Sequence, residues 1–322
     1  MELKSLKPHT IFFDTARFKH PEFNKIMRGI NELIKCGGTV PVINCLVGPS
    51  RVGKSVVISS VCKQYENHIN TEHQPIVNID IEPDTTPKMI YSSIIEAMGV
   101  PAKGNVRELR KQLCFLTQKK KVRLIIIDEM QHALPVHQNS PNGTQKVADI
   151  IKLISDGTNA SMLLVGLENT SLLLQNKFKK NKRADVKQEK QLFGRSFSPM
   201  HIPRIRLNQK ARFLDIMKGY LVIFNALEQK YKITMPDVKD EEVALKFWVA
   251  CKGHFGRLRF LFVLALETVS SGSIVTEKIL SDTYEKVISD KASYNPFNCT
   301  PQELRIAAKA IEHSESLTEV DG

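Results

Sequence analysis

Four short apolar runs punctuate the first half of the chain: PVINCLV (41–47), PIVNIDI (75–81), RLIIIDE (123–129) and SMLLVGL (161–167). Each is aliphatic or β-branched and bounded by turn residues, the pattern of a strand buried on both faces of a parallel sheet. Between them the apolar positions fall at helical spacing. In VRELRKQLCFLTQ (106–118), Val106, Leu109, Leu113 and Leu116 share one stripe. Strands alternating with helices predict an α/β fold, a parallel sheet covered on both faces. After Pro203 the alternation stops, and from Asn208 to about residue 291 every apolar pattern is helical, broken by Gly, Pro or Asp. The expected organisation is an αβα core over 1–205, an all-helical subdomain over 206–292 and a tail over 293–322. That tail is expected to form a short helix and then a partly disordered end.

The first strand runs into Gly48-Pro49-Ser50-Arg51-Val52-Gly53-Lys54-Ser55, which satisfies the pattern G-x-x-x-x-G-K-[ST] in the required order of strand, loop and helix. Glycines let backbone amides surround phosphate oxygens. Lys54 is placed to reach the β and γ phosphates of ATP, and Ser55 to ligate Mg²⁺. The helix that begins there adds the positive end of its dipole. The third apolar run ends in Asp128 and Glu129, and two adjacent carboxylates at the end of a buried strand are costly unless a cation or ligand meets them. Asp128 is the candidate to hold Mg²⁺ and Glu129 the candidate to polarise an attacking water.

These two motifs resemble those of an AAA+ ATPase, a P-loop NTPase with a helical lid. The Asp-Glu followed by x-Gln-His in IIIDEMQHAL is similar to the form seen in TniB/TnsC-type regulators of transposition. The resemblance runs over about residues 10 to 290. It implies a polar sensor of the γ phosphate in VGLENT, with Glu168 or Asn169 as candidates and helix capping by Asn169 or Thr170 as the alternative. It implies an arginine finger in KQLFGRSFSP, Arg195, acting on the neighbouring copy's nucleotide, against the alternative of a plain surface arginine. It implies a second sensor in KGHFGRLRFLF, Arg257 ahead of Arg259, with Gly256 permitting a tight helix entry. Arg51 and Val52 stand where many members carry small residues, and in such loops these side chains point away from the phosphates.

Composition changes this picture in one respect. Lys and Arg number 46 against 34 Asp and Glu, a formal charge of +12, which favours a polyanionic partner. Eight basic residues, Lys179 and Lys180 among them, crowd between Lys177 and Arg195 against two acidic ones. That density suits a phosphate backbone, or else a solvated loop. By the resemblance, Lys103 and Arg107 face the channel of a ring and track DNA; a solvated helix face is the alternative. No motif for reading base edges occurs, so duplex DNA is expected to be bound without sequence preference. The acidic tail, with Glu303, Glu312, Glu315, Glu319 and Asp321 against Arg305 and Lys309, is a candidate dock for a basic partner, or simply disordered. The six cysteines are scattered without zinc-ligand spacing and read as reduced packing residues. The nine histidines form no metal-ligand set, and His132 reads as structural. No signal sequence and no run of about 18 apolar residues is present, so a cytoplasmic location without membrane insertion is expected.

The resemblance therefore implies a slow, regulatory ATPase of bacterial cytoplasm, nucleoid-associated when on DNA. It would form a ring or helical homo-oligomer on duplex target DNA and link a target-selector protein of the TniQ type to the transposase. The alternative is a remodelling AAA+ ATPase, helicase-loader-like or linked to secretion, which would use the same ATP site.

Overall fold

The computed structural model describes residues 6–16, 21–70, 72–83, 85–134, 141–174, 197–287 and 294–321. Two helices, α1 (Pro8–Thr15) and α2 (Pro21–Cys36), precede β1 (Ile43–Val47). Helices and strands then alternate through α3 (Lys54–Tyr65), β2 (Ile76–Asp80), α4 (Pro87–Ala97), α5 (Val106–Lys119), β3 (Leu124–Asp128), α6 (Pro141–Thr158) and β4 (Ser161–Gly166). A two-residue strand, β5 (Met200–His201), is followed by α7 (Lys210–Tyr231), α8 (Glu241–Cys251), α9 (Phe255–Thr268), α10 (Glu277–Val287) and α11 (Pro301–Asp321).

All five strands are parallel, in the order β2-β3-β4-β1-β5. Every residue of β1, β3 and β4 is buried, which is why their sequences are unbroken apolar runs. β2, at the sheet edge, exposes Asn78 and Asp80. Alternate residues supply two cores. Ile43, Cys45, Ile125, Ile127, Met162 and Leu164 pack with Ile94, Leu109, Leu113 and Ile151 of α4, α5 and α6. Leu46, Leu124, Ile126, Leu163 and Val165 pack with Ile30, Leu33, Val57 and Val61 of α2 and α3. α5 starts where Asn105 and Glu108 satisfy each other's backbone amides, a reciprocal cap.

The chain divides into two compact units. One holds α2 to Ile202, apart from the tetrapeptide Ser50–Gly53; the other holds that tetrapeptide, α1 and the chain from Pro203 onward. α1, far from them in sequence, packs among the C-terminal helices. Phe13, fully buried, stacks on Tyr220 and Phe224 and meets Phe262 edge-on, and His9 Nε2 lies 2.9 Å from the Leu266 carbonyl. Those partners lie more than two hundred residues away, beyond the reach of local periodicity.

The tail forms one more helix of this unit. α11 runs for 21 residues, capped by Thr300 and Glu303, and buries Leu304, Ala307 and Ala308 against the helical core. Glu312 accepts from Arg204 Nη1 at 2.9 Å and from the Leu207 amide at 3.1 Å. Arg204 is 1% exposed. Glu312 is thus engaged within its own chain.

Candidate functional site

A parallel sheet delivers the carboxyl ends of its strands to one edge, and the loops there share a crevice. β1 delivers Gly48, β3 delivers Asp128 and Glu129, and β4 delivers Glu168 and Asn169 on a 3₁₀ turn spanning Glu168–Leu173. Lys54 opens α3, its ammonium donating to the Gly48 carbonyl at 2.7 Å and the Pro49 carbonyl at 2.8 Å. Burial pulls the Lys54 pKa down, while Asp128, Glu129 and Glu168, in that order, push it back up. Asp128 is 8% exposed, and burial raises its carboxyl above 3.8; the Glu129 amide, donating to Oδ1 at 2.8 Å, opposes that rise. Three carboxylates thus gather around one ammonium in a partly desolvated edge. Carboxylate and hydroxyl oxygens from Asp128 and Ser55 are the hard donors that Mg²⁺ prefers.

The loop itself needs its glycines for conformation. Gly53 lies at φ +112°, and nothing stands within 4 Å of the place where a Cβ would project, so backbone freedom and not space selects it. Arg51 is exposed and holds φ +61°, whereas Val52 is buried. Ser55 is exposed at the start of α3.

Glu129 adopts left-handed backbone angles, φ 54° and ψ 35°. Such a conformation in a non-glycine residue costs roughly 1–3 kcal/mol and has to be enforced by its surroundings. Gln131 supplies one constraint that motif reading passed over: its amide nitrogen donates to Glu129 Oε2, and its Oε1 accepts from the Leu167 amide at 3.2 Å. One side chain therefore ties Glu129 to the end of β4. A Cβ on Gly166 would collide with that Gln131 oxygen at 2.7 Å. His132 Nε2 is 4.0 Å from Glu129 Oε2, both half-exposed, and the described residues contain no cluster of metal-binding type.

The two sensor candidates separate. Glu168 Oε2 lies 3.3 Å from His201 Nδ1. Asn169 Oδ1 and Thr170 Oγ1 are buried without a hydrogen-bond partner among the described residues. The turn they occupy begins at Leu167 with no side-chain cap, so neither acts as the helix cap. A buried orphan polar atom costs about 1–3 kcal/mol. A polar partner would satisfy such an atom.

The arginine pair also separates. Arg259 is consumed by the end of α1: it bonds Asp14 Oδ1 and the Phe13 carbonyl, each at 3.1 Å, and its guanidinium stacks 5.4 Å from the Phe13 ring centre. Arg257, in the first turn of α9, is partly buried. Lys103 and Arg107 are exposed at the start of α5. Lys179, Lys180 and Arg195 lie outside the described residues. All six cysteines are free, and burial pushes the Cys251 thiol up to about 12, as suits a packing residue. No helix among the described residues is long and apolar enough to cross a membrane.

Solved AAA+ proteins share this architecture. Cdc6p from Pyrobaculum aerophilum superposes with a TM-score of 0.54 at 11% identity, over 88% of this chain and 72% of that one. The Aeropyrum pernix ORC1 protein, solved in complex with DNA, gives 0.54 at 15% identity, over 88% and 71%. Drosophila ORC bound to DNA gives 0.50 at 13%, over 99% and 80%. At these identities the likeness establishes the fold: an AAA+ P-loop NTPase core with a helical C-terminal region. No curated protein matches the chain. The model of a family described as bacterial TniB protein matches residues 14–191, more than half of the sequence, and the chain belongs to the TniB family.

Proposed function

We propose that this protein is an ATP-dependent regulator of DNA transposition that oligomerises on duplex target DNA and links a target selector to the transposase. The observation that carries the reading is the set of Lys54, Asp128, Glu129 and the orphan Asn169 Oδ1 at the carboxyl edge of the sheet, in a chain of the TniB family. Backbone amides of Gly48 to Ser55 cradle the phosphates and Lys54 reaches the outer ones. Ser55 and Asp128 hold Mg²⁺, which when bound offsets the negative charge of the triphosphate. Glu129, aimed by Gln131, accepts the proton of the attacking water, and Asn169 bonds the terminal phosphate. In the same reading Arg257 is the second sensor, and Arg195 is the arginine finger that acts on the adjacent copy's nucleotide.

ATP then acts as glue between copies. Ligand that binds only the assembled form stabilises it by RT ln(1 + [L]/Kd), about 2.7 kcal/mol at a hundredfold excess over Kd, enough to decide oligomer populations. Hydrolysis dismantles the assembly. The formal charge of +12 supplies sequence-neutral affinity for the duplex, with Lys103, Arg107, Lys179 and Lys180 on its backbone.

The test is Glu129→Gln. This variant should bind ATP, lose about a hundredfold or more of its hydrolysis, and accumulate on duplex DNA. Unchanged steady-state hydrolysis would remove Glu129 from the role of base. Preference for single strands over duplex would favour the loader-like alternative.

A further inference from the structure

His254, immediately before α9, is 6% exposed. Its ring nitrogens face two oxygens from distant parts of the chain. Nδ1 lies 3.1 Å from the carbonyl oxygen of Ser50, and Nε2 lies 3.2 Å from Oε2 of Glu315 on α11. A carbonyl and a carboxylate only accept, so each contact needs an N–H on the nitrogen that faces it. Two residues further on, the Gly256 amide donates to the Arg51 carbonyl at 2.7 Å, and a Cβ on Gly256 would stand 2.5 Å from that oxygen. Two consecutive carbonyls of the phosphate loop are therefore met by the entry to α9.

Holding those carbonyls aims the loop. In a trans peptide the N–H points opposite the C=O, so fixing the Ser50 and Arg51 carbonyls fixes the Arg51 and Val52 amides on the other side of the chain. The left-handed backbone of Arg51 makes such external support necessary. Two acceptors face a ring whose neutral form has one N–H to give. Burial pulls the ring below its ordinary 6.5 and Arg257 on α9 adds to that, while Glu315 and the Ser50 carbonyl pull it up without restoring it. A neutral imidazole has one N–H. The carboxylate, with Lys252 Nζ 4.0 Å from its other oxygen, is the stronger acceptor of the two.

We propose that α11 is a brake on the phosphate loop: Glu315 competes with the Ser50 carbonyl for the single N–H of His254, and releasing Glu315 tightens the grip on nucleotide. With Glu315 engaged, the ring proton sits on Nε2 and a lone pair faces the Ser50 carbonyl. With Glu315 withdrawn, the proton moves to Nδ1 and the carbonyl is held. His254 is here a positioning residue and touches no substrate. The inference rests on the nucleotide reading proposed above.

A fluorescent ATP analogue titrated into the full chain tests it, with Lys54→Ala as the control. Glu315→Leu removes the competing acceptor from Nε2 and leaves the Ser50 carbonyl as the acceptor for the ring proton; it should bind the analogue about three- to tenfold more tightly, the worth of one hydrogen bond. Glu315→Ala should shift affinity in the same direction. In a His254→Ala background both effects should vanish, which a general loosening of α11 would not produce. Unchanged or weaker binding by Glu315→Leu and Glu315→Ala, in a chain whose binding depends on Lys54, overturns the brake alone. Should the unaltered chain fail to bind, or bind equally well with Lys54→Ala, the nucleotide reading itself falls and the brake falls with it.

Discussion

Gly53 and Gln131 show how single positions shape the site. Gly53 sits at φ +112° in open space, so Gly53→Ala introduces no clash, only a backbone conformation that costs an L residue roughly 1–2 kcal/mol. The expected outcome is about a tenfold loss of ATP affinity, read by titration, with near-native thermal stability. Gln131 binds Glu129 on one side and the Leu167 amide on the other. Gln131→Ala should therefore lower kcat for ATP hydrolysis about tenfold while leaving KM within about twofold, because the aim of the base is lost and the phosphate contacts are kept. An equal loss in both parameters would place Gln131 in binding instead. The phosphate loop and the Asp128-Glu129 pair were legible because their chemistry dictates fixed spacing along the chain. The work of Gln131 was not, since its partner Leu167 lies 36 residues away.

Among the elements, β1, β3 and β4 were readable because full burial forces continuous apolar sequence. β5 has two residues and no period to detect; it exists because Met200 and His201 find the free edge of β1. α11 was half legible. Thr300-Pro301-Gln302-Glu303 is a capping sequence that announces a helix start, yet the docking of Glu312 on Arg204 spans 108 residues. That docking predicts a pH dependence. Burial alone would raise the Glu312 carboxyl, but the bonds from Arg204 and the Leu207 amide outweigh it and hold the group below 4.5. A depressed folded-state pKa gives stability that is present above 4.5 and is lost as pH falls through the lower folded value. Thermal unfolding followed from pH 7 downward should show that loss, and Glu312→Gln should flatten it while lowering stability at pH 7 by about 1–3 kcal/mol. An identical pH profile in the variant would show that α11 is held by its apolar face alone.

For the whole molecule, a fold known from AAA+ proteins is combined with a strong positive charge and family membership in TniB. Charge excess was plain from composition, but its placement was not, because the densest basic run lies outside the described residues. Binding to duplex DNA should weaken steeply with salt, since each neutralised phosphate releases counterions, and sequence should matter little. The central claim is that ATP gripped by Lys54 and Asp128 joins copies of this chain along a double helix. Electron microscopy of the purified protein with a slowly hydrolysed ATP analogue, with and without duplex DNA, tests it most directly. Rings or helical filaments should form on the duplex and be absent for Lys54→Ala; a chain that remains a single copy at saturating nucleotide and DNA would contradict the account.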